Sequence, residues 1–258
     1  MRNIILGAAA ALLAGLFLLT PWSKASAETV TGPQIDSRVI VGLSADAAAV
    51  QEVLPGGWTS VPFPRGPLKG ANLLVSFVDG MLMVDAEGKP LSPASRRAVI
   101  LLGLAKEDGG DAVRIFVMRV YTSEPENDPY GVNAAAEITR INSLTGPAAG
   151  GRQSTDAWRM TASGGELAMS LDYTTGKRSW SSSEALSFSA ANPDFHRIYR
   201  YDSITDLVMS TAVGKPIDGE FSMTNSVSEL AGIFSGEEEV IAVLDIPVRV
   251  RKIFLPDN

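Results

Sequence analysis

Residues 36–58, DSRVIVGLSADAAAVQEVLPGGW, decide how this chain is read. Val39, Ile40, Val41 and Leu43 make a short β-branched and apolar run, which predicts a strand. Ser44 offers a hydroxyl to cap a helix, and Asp46 places a carboxylate in its first turn, at the positive end of the dipole. The alanine-rich segment 45–54 predicts that helix, with Val50, Val53 and Leu54 on one face. Pro55, Gly56 and Gly57 stop it, and the large aromatic Trp58 follows. On the strand, Arg38 shares a face with Ile40 and Gly42, while Val39, Val41 and Leu43 take the other. An arginine in such company needs a partner, because an unpaired buried charge is costly. A guanidinium matches a carboxylate as a two-pronged fork. Arg38 is therefore a candidate carboxylate clamp, with a surface or structural ion pair as the alternative.

Outward from this unit the chain reads as strands and turns. Upstream, 28–34 is a mobile leader containing Gly32-Pro33. Downstream, Pro62, Pro64, Gly66 and Pro67 form a stiff loop that cannot join a central strand. Apolar runs 73–78 and 81–84 flank Asp79-Gly80, which predicts a hairpin. The runs 98–105 and 112–121 flank an acidic glycine-rich turn and predict a second. Segment 133–141 fits a helix or a strand, and 144–155 reads as an exposed Gly/Pro/Ser-rich tongue. Segments 158–162 and 166–173 predict a third hairpin, with Leu167, Met169 and Leu171 on a buried face. Strands follow at 197–201, 206–213 and 217–223, the last two joined through Gly214-Lys215-Pro216 as a fourth hairpin. Ser226 and Glu229 read as a capping box for a short helix over 226–233. A long apolar strand closes the chain at 240–255. With no βαβ alternation and no repeat, the fold expected is mainly β: a single antiparallel closed or partly closed β-barrel with short peripheral helices.

The first 27 residues stand apart. Arg2 precedes the apolar run 4–19, Pro21 breaks it, and Ala25-Ser26-Ala27 is a cleavage site, so 1–27 is expected to be a secretory signal peptide. The domain is then 28–258, periplasmic or secreted, with no stable membrane span after cleavage. Removing Arg2 and Lys24 with no acid changes the net charge from −7 to −9. Such a protein has no electrostatic attraction to nucleic acid or anionic lipid. There is no cysteine, so the fold rests on core packing rather than disulfides.

Motifs exclude several chemistries. His196 is the only histidine and cysteine is absent, so no His/Cys metal centre forms, and the acidic runs lack a calcium-loop pattern. Neither a nucleophile elbow nor a nucleotide-cradling glycine loop occurs. Arg197, Tyr199, Arg200 and Tyr201 interleave charge with aromatic rings, but the net acidity argues against stacked bases. No metal and no cofactor is expected.

The opening unit resembles the amino-terminal segment of the acetoacetate decarboxylase-like family. There a strand arginine is followed by apolar residues, a Thr/Ser-Asp helix start and a Leu-Pro or Val-Pro helix end; here these are Arg38, Val39 to Leu43, Ser44 and Asp46, and Val53-Leu54-Pro55. The resemblance covers about twenty residues well, and beyond them only the strand layout. It implies a closed antiparallel barrel with an interior site. The family's lysine, which forms a Schiff base with a keto acid, sits in a Gly-x-Pro-Lys setting beside a second lysine. By chain order that region falls in 130–141, YGVNAAAEITRI, which holds Tyr130 and Arg140 but no lysine. An arginine does not deprotonate at useful pH. Arg38, Tyr130 and Arg140 are thus the candidate ligand-binding residues, and no catalytic residue is assigned. The expected function is binding of a small, mostly apolar carboxylic acid or ketone in the barrel. The alternatives are a lyase or hydratase acting on a keto acid through other groups, and a surface interaction protein. Oligomeric state is left open, a homo-oligomer included.

Overall fold

The computed structural model describes residues 28–147 and 151–256. The export segment expected over 1–27 lies outside them. Among the described residues, no helix is long and apolar enough to cross a membrane.

Seven strands close into a barrel. They are β1 (Glu28–Ser44), β3 (Leu73–Met83), β4 (Arg96–Glu107), β5 (Val113–Thr122), β10 (Ser179–Ser189), β11 (His196–Ser210) and β13 (Glu239–Pro256). Their order around the ring is β4-β3-β1-β13-β11-β10-β5, closed by β4 on β5. All neighbours are antiparallel except β10 and β5, which pair in parallel over three positions. Two short strands extend it, β2 (Trp58–Ser60) on β4 and β6 (Asn133–Ala135) on β5. A separate antiparallel sheet holds β7 (Glu137–Thr145), β8 (Gln153–Ala162), β9 (Gly165–Thr174) and β12 (Gly219–Asn225), in the order β12-β9-β8-β7. The expected mainly β barrel is the fold observed.

The alternation read from residues 38–43 sorts the two faces of β1. Val39, Val41 and Leu43 are fully buried on the outward face, with Val75 and Phe77 of β3 and Val99 and Leu101 of β4. The second sheet covers this face with Trp158, Met160, Leu167, Met169 and Leu171. Phe77 and Trp158 meet with ring centroids 5.7 Å apart. Arg38, Ile40 and Gly42 point inward. Gly42 lets the proline-rich loop pack closely, since an added Cβ would lie 2.5 Å from Leu68 Cδ2 and push that side chain aside.

Several local expectations are corrected. The 28–34 leader is the first part of β1, paired to the end of β13 from Glu28↔Pro256 onward. Asp79-Gly80 is no turn: β3 runs through it, paired to β1 on one side and β4 on the other. Two long partners outweigh a local turn preference. The helix is shorter, α1 (Ala47–Glu52), and is capped by Asp46, whose Oδ1 accepts from the Ala49 amide at 2.9 Å, not by Ser44. The tongue at 144–155 is largely exposed as expected, but its two ends are strand, the end of β7 at Thr145 and the start of β8 at Gln153, with 148–150 outside the described residues. Segments 197–201 and 206–213 belong largely to one strand, β11. The hairpin expected at Gly214-Lys215-Pro216 does not form, because β12 leaves the barrel to pair with β9. The capping box at Ser226 gives only a 3-10 turn over Ser228–Leu230.

Trp158 fastens the second sheet to the barrel wall. Trp158→Ala should lower unfolding free energy by about 3–5 kcal/mol in a denaturant titration. A loss below about 1 kcal/mol would show that the two sheets are not packed as one core.

Candidate functional site

The barrel encloses a cavity of about 90 Å³. Gln34 of β1, Val78 of β3, Ala98 of β4, Val120 of β5, Tyr199 of β11 and Arg251 of β13 all line it. Only the inside of the ring can be touched by six of its seven strands. Several waters, or a small acid, fill such a volume.

Its walls differ in chemistry. Val78, Ala98, Ile100 and Val120 form an apolar patch on β3, β4 and β5. Opposite them and along the rim stand Arg96, Arg197 and Arg251, with Gln34, Tyr130 and Tyr199. The strand period of two explains this grouping. On β11, Arg197, Tyr199 and Tyr201 share a face; on β13, Arg249, Arg251 and Ile253 do. The ladder places Asp36 opposite Arg249, and Gln34 opposite Arg251. Between Asp36 and Arg38 the β1–β13 register shifts. Such an irregularity re-aims side chains locally.

Asp36 is the buried carboxylate of this interior, 1% exposed. Its Oδ1 and Oδ2 accept from Arg38 Nε and Nη2, both at 2.8 Å. Arg251 Nε lies 3.3 Å from the same Oδ2, while its Nε and Nη2 donate to Gln34 Oε1 at 3.1 and 2.7 Å. Burial works to raise the Asp36 carboxyl, but Arg38, Arg251 and Arg249 outweigh it and hold it below the usual carboxylate range. Arg249 stacks over Tyr201 at 4.2 Å and Arg251 over Tyr199 at 5.1 Å. Among the described residues, no ion pair or side-chain hydrogen bond reaches Arg96 or Arg197. The Nε atoms of Arg197 and Arg249 are buried without a partner. Burial, and then the charges of Arg251 and Arg197, lower the Arg96 pKa.

The charged loop after β5 brings Tyr130 to the mouth. Asp128 accepts from the amides of Val132 and Asn133 at 3.1 and 2.8 Å, tightening the turn. Ser189 Oγ donates to the Tyr130 carbonyl at 2.5 Å. The Tyr130 and Tyr199 hydroxyls are 2.7 Å apart. Burial, reinforced by Tyr199, raises the Tyr130 pKa well above that of a free phenol. Tyr130 therefore stays a neutral donor and acceptor at ordinary pH.

The three residues singled out from sequence do not gather. Tyr130 lines the cavity. Arg38 is inside the barrel but occupied by Asp36, and reaches the cavity only through the Asp36 oxygen it shares with Arg251. Arg140 is elsewhere: it lies under the second sheet, on the outward face of the barrel wall. Its Nε and Nη2 donate to Asp156 at 2.9 and 2.6 Å, and its Nη1 donates to Ser37 at 2.5 Å and Asp79 at 3.2 Å. Trp158 faces it at 4.9 Å. With two carboxylates and a ring committed to it, Arg140 holds the sheets together and does not face the cavity. The residues missed were Arg96, Arg197 and Arg251. The signal in the sequence is Arg249 and Arg251 two residues apart, and Arg197 two residues before Tyr199; Arg96, beside Arg97, carries none. Among the described residues, no lysine lines the cavity.

Beside Asp156, the outward face carries another buried acid, Asp245. Asp245 accepts from the Tyr173 hydroxyl at 2.7 Å. Burial, with Asp156 nearby, raises its pKa.

Comparisons with known proteins agree on the fold. An acetoacetate decarboxylase-like enzyme from Sphingomonas wittichii RW1 superposes with a TM-score of 0.57 at 13% identity, covering 90% of this chain and 92% of that one. The enduracididine biosynthesis enzyme MppR, complexed with the condensation product of pyruvate and imidazole 4-carboxaldehyde, gives 0.55 at 11% identity, covering 96% of each chain. MppR complexed with pyruvate gives 0.53 at 11% identity, covering 93% of each. No family model matches the chain, and no curated protein matches it significantly. The chain has the acetoacetate decarboxylase-like fold.

Asp36 and Asp245 should respond oppositely to substitution. Asp36→Asn strands Arg38 and should cost about 3–5 kcal/mol at pH 7. Because the Asp36 pKa is depressed, its contribution is full above about pH 4 and is lost as pH falls through the folded value. The raised Asp245 has the reverse sign: its cost appears as pH rises above about 4. Asp245→Asn keeps an acceptor for Tyr173 and should raise the melting temperature at pH 7. Thermal unfolding from pH 3 to 8 measures both; equal and same-signed shifts would contradict the assignment.

Proposed function

We propose that this barrel binds a small carboxylic acid non-covalently in its interior cavity, the carboxylate against the arginines and the carbon skeleton against Val78, Ala98, Ile100 and Val120. One observation carries the reading: guanidinium groups without carboxylate partners converge on a hollow inside the ring. A cation in a low-dielectric interior is stable only with a counter-charge, and a bound carboxylate supplies one in a geometry that suits arginine. The described neighbour with pyruvate bound has the same fold and makes short keto acids the first class to try.

Covalent chemistry of the Schiff-base kind needs an amine at the cavity. Among the described residues the amine-bearing side chains lie away from the cavity lining, with Lys252 exposed on the outer face of β13. Tyr130, held neutral by its surroundings, is a poor base for proton abstraction. The residues thus favour a binder over a decarboxylase. We further propose that the protein is exported and that 28–258 is the working chain, on the strength of the apolar run and the Ala25-Ser26-Ala27 site.

Pyruvate should bind the purified protein in isothermal titration calorimetry and raise its melting temperature. Arg96→Met should weaken binding by about tenfold or more, a cost in line with losing one charge-assisted contact. Borohydride treatment of the mixture should leave the intact mass unchanged. A lysine adduct after reduction would instead establish an imine-forming enzyme, and the absence of binding by any short carboxylic acid would remove the proposal. Protein isolated from its native cells should begin at Glu28 by intact mass; an uncleaved amino terminus would count against export.

A further inference from the structure

We infer that the cavity is built for a small dianion, an acid carrying two negative charges, and not for a simple monocarboxylate. This rests on the reading above that the cavity is the ligand site. Its basis is a comparison of charges inside the ring. Arg38, Arg96, Arg197, Arg249 and Arg251 all face inward, and one buried carboxylate, Asp36, answers them. Arg38 occupies both oxygens of Asp36. Arg251 shares one of those oxygens at 3.3 Å and otherwise donates to the neutral amide oxygen of Gln34. Arg249 has a tyrosine ring for company and an unpartnered Nε. Arg197 has the ring of Tyr130 at 5.9 Å and likewise an unpartnered Nε. The further acid whose charge Arg96 feels is Glu124, half-buried in the loop after β5 and with no ion pair to Arg96.

The placement of these groups matters as much as their number. Arg96 comes from β4, Arg197 from β11 and Arg251 from β13, so they enter the cavity from separate staves of the ring. A single planar carboxylate presents two oxygens and satisfies one fork fully. It would leave guanidinium edges on the other strands as they are. A second acid group on the same short skeleton answers them without enlarging the ligand beyond about 90 Å³. The nearby apolar patch accommodates the one or two carbons between the groups. Dicarboxylates and phosphate-bearing acids share this chemistry.

The test is calorimetry at pH 8 and constant ionic strength with propionate, malonate and hydrogen phosphate; the two carboxylic acids have equal carbon counts. Malonate should bind at least about tenfold more tightly than propionate, the scale expected for one added charge-assisted fork. Arg197→Met and, on another strand, Arg96→Met should bring that ratio to within about twofold, and Arg197→Lys should restore part of it by returning the charge. Folding of each variant is checked by circular dichroism, and either folded variant suffices. Hydrogen phosphate outbinding malonate would keep the dianion class and point to a phosphate-bearing ligand. Equal affinity for malonate and propionate, with pyruvate still bound, would overturn this inference and leave the binding reading standing. A preference that survives both arginine substitutions would overturn it too, and no binding of any acid would overturn both.

Discussion

A guanidinium drawn into a barrel has to be answered by a negative charge, and among the described residues one buried carboxylate, Asp36, faces the buried Arg38 and the half-buried Arg96, Arg197, Arg249 and Arg251. That imbalance organises the interior. Asp36 and Arg38 sit on β1 two residues apart, where the strand period puts them on one face and the regular ladder with β13 sets Arg249 opposite Asp36 and Arg251 opposite Gln34. Gln34, Tyr199, Tyr201 and Tyr130 then share the remaining donors through amide oxygen and ring faces. None of these supplies a full charge. The interior is held together by Asp36 and left electrically incomplete at the cavity.

The outward face of the same wall shows what a complete arrangement looks like. Arg140 has Asp156 in a two-pronged pair, Asp79 on another nitrogen, Ser37 and the Trp158 ring. Burial works to lower its pKa, but Asp156 and Asp79 outweigh it and raise it. Inside the barrel, the pKa of Arg96, Arg249 and Arg251 goes the other way, lowered by burial and then by neighbouring guanidinium charge, that of Arg38 on Arg249 and Arg251 and that of Arg251 and Arg197 on Arg96. Two arginine environments lie on either side of one sheet. The first is a structural fastening between β-layers, and the second is the site at which we propose an anion binds.

Strand alternation made much of this legible beforehand. Residues 38–43 sort into their two faces as the pattern says, and the mainly β barrel follows from many strands with few helices. Local signals failed where distant pairing overrode them. Asp79-Gly80 reads as a turn but lies mid-strand between two long partners, and Glu28–Gln34 reads as a leader but is paired along β13. Site residues fared unevenly for the same reason. Arg38 and Tyr130 fall inside or at the mouth of the barrel. Arg140 was placed by chain order, which carries no information on which side of a wall a residue lies. Arg197 and Arg251 each alternate with aromatic or apolar residues in the sequence. That they face one cavity depends on ring closure between strands more than fifty residues apart, which no local pattern encodes.

The most direct measurement is NMR of the Nε–Hε groups of isotope-labelled arginine, with malonate titrated into the protein. The account predicts that Arg96, Arg197 and Arg251 shift together and saturably while Arg140 stays still. Saturable shifts at Arg140, or small unsaturable shifts confined to exposed arginines such as Arg159, would contradict it.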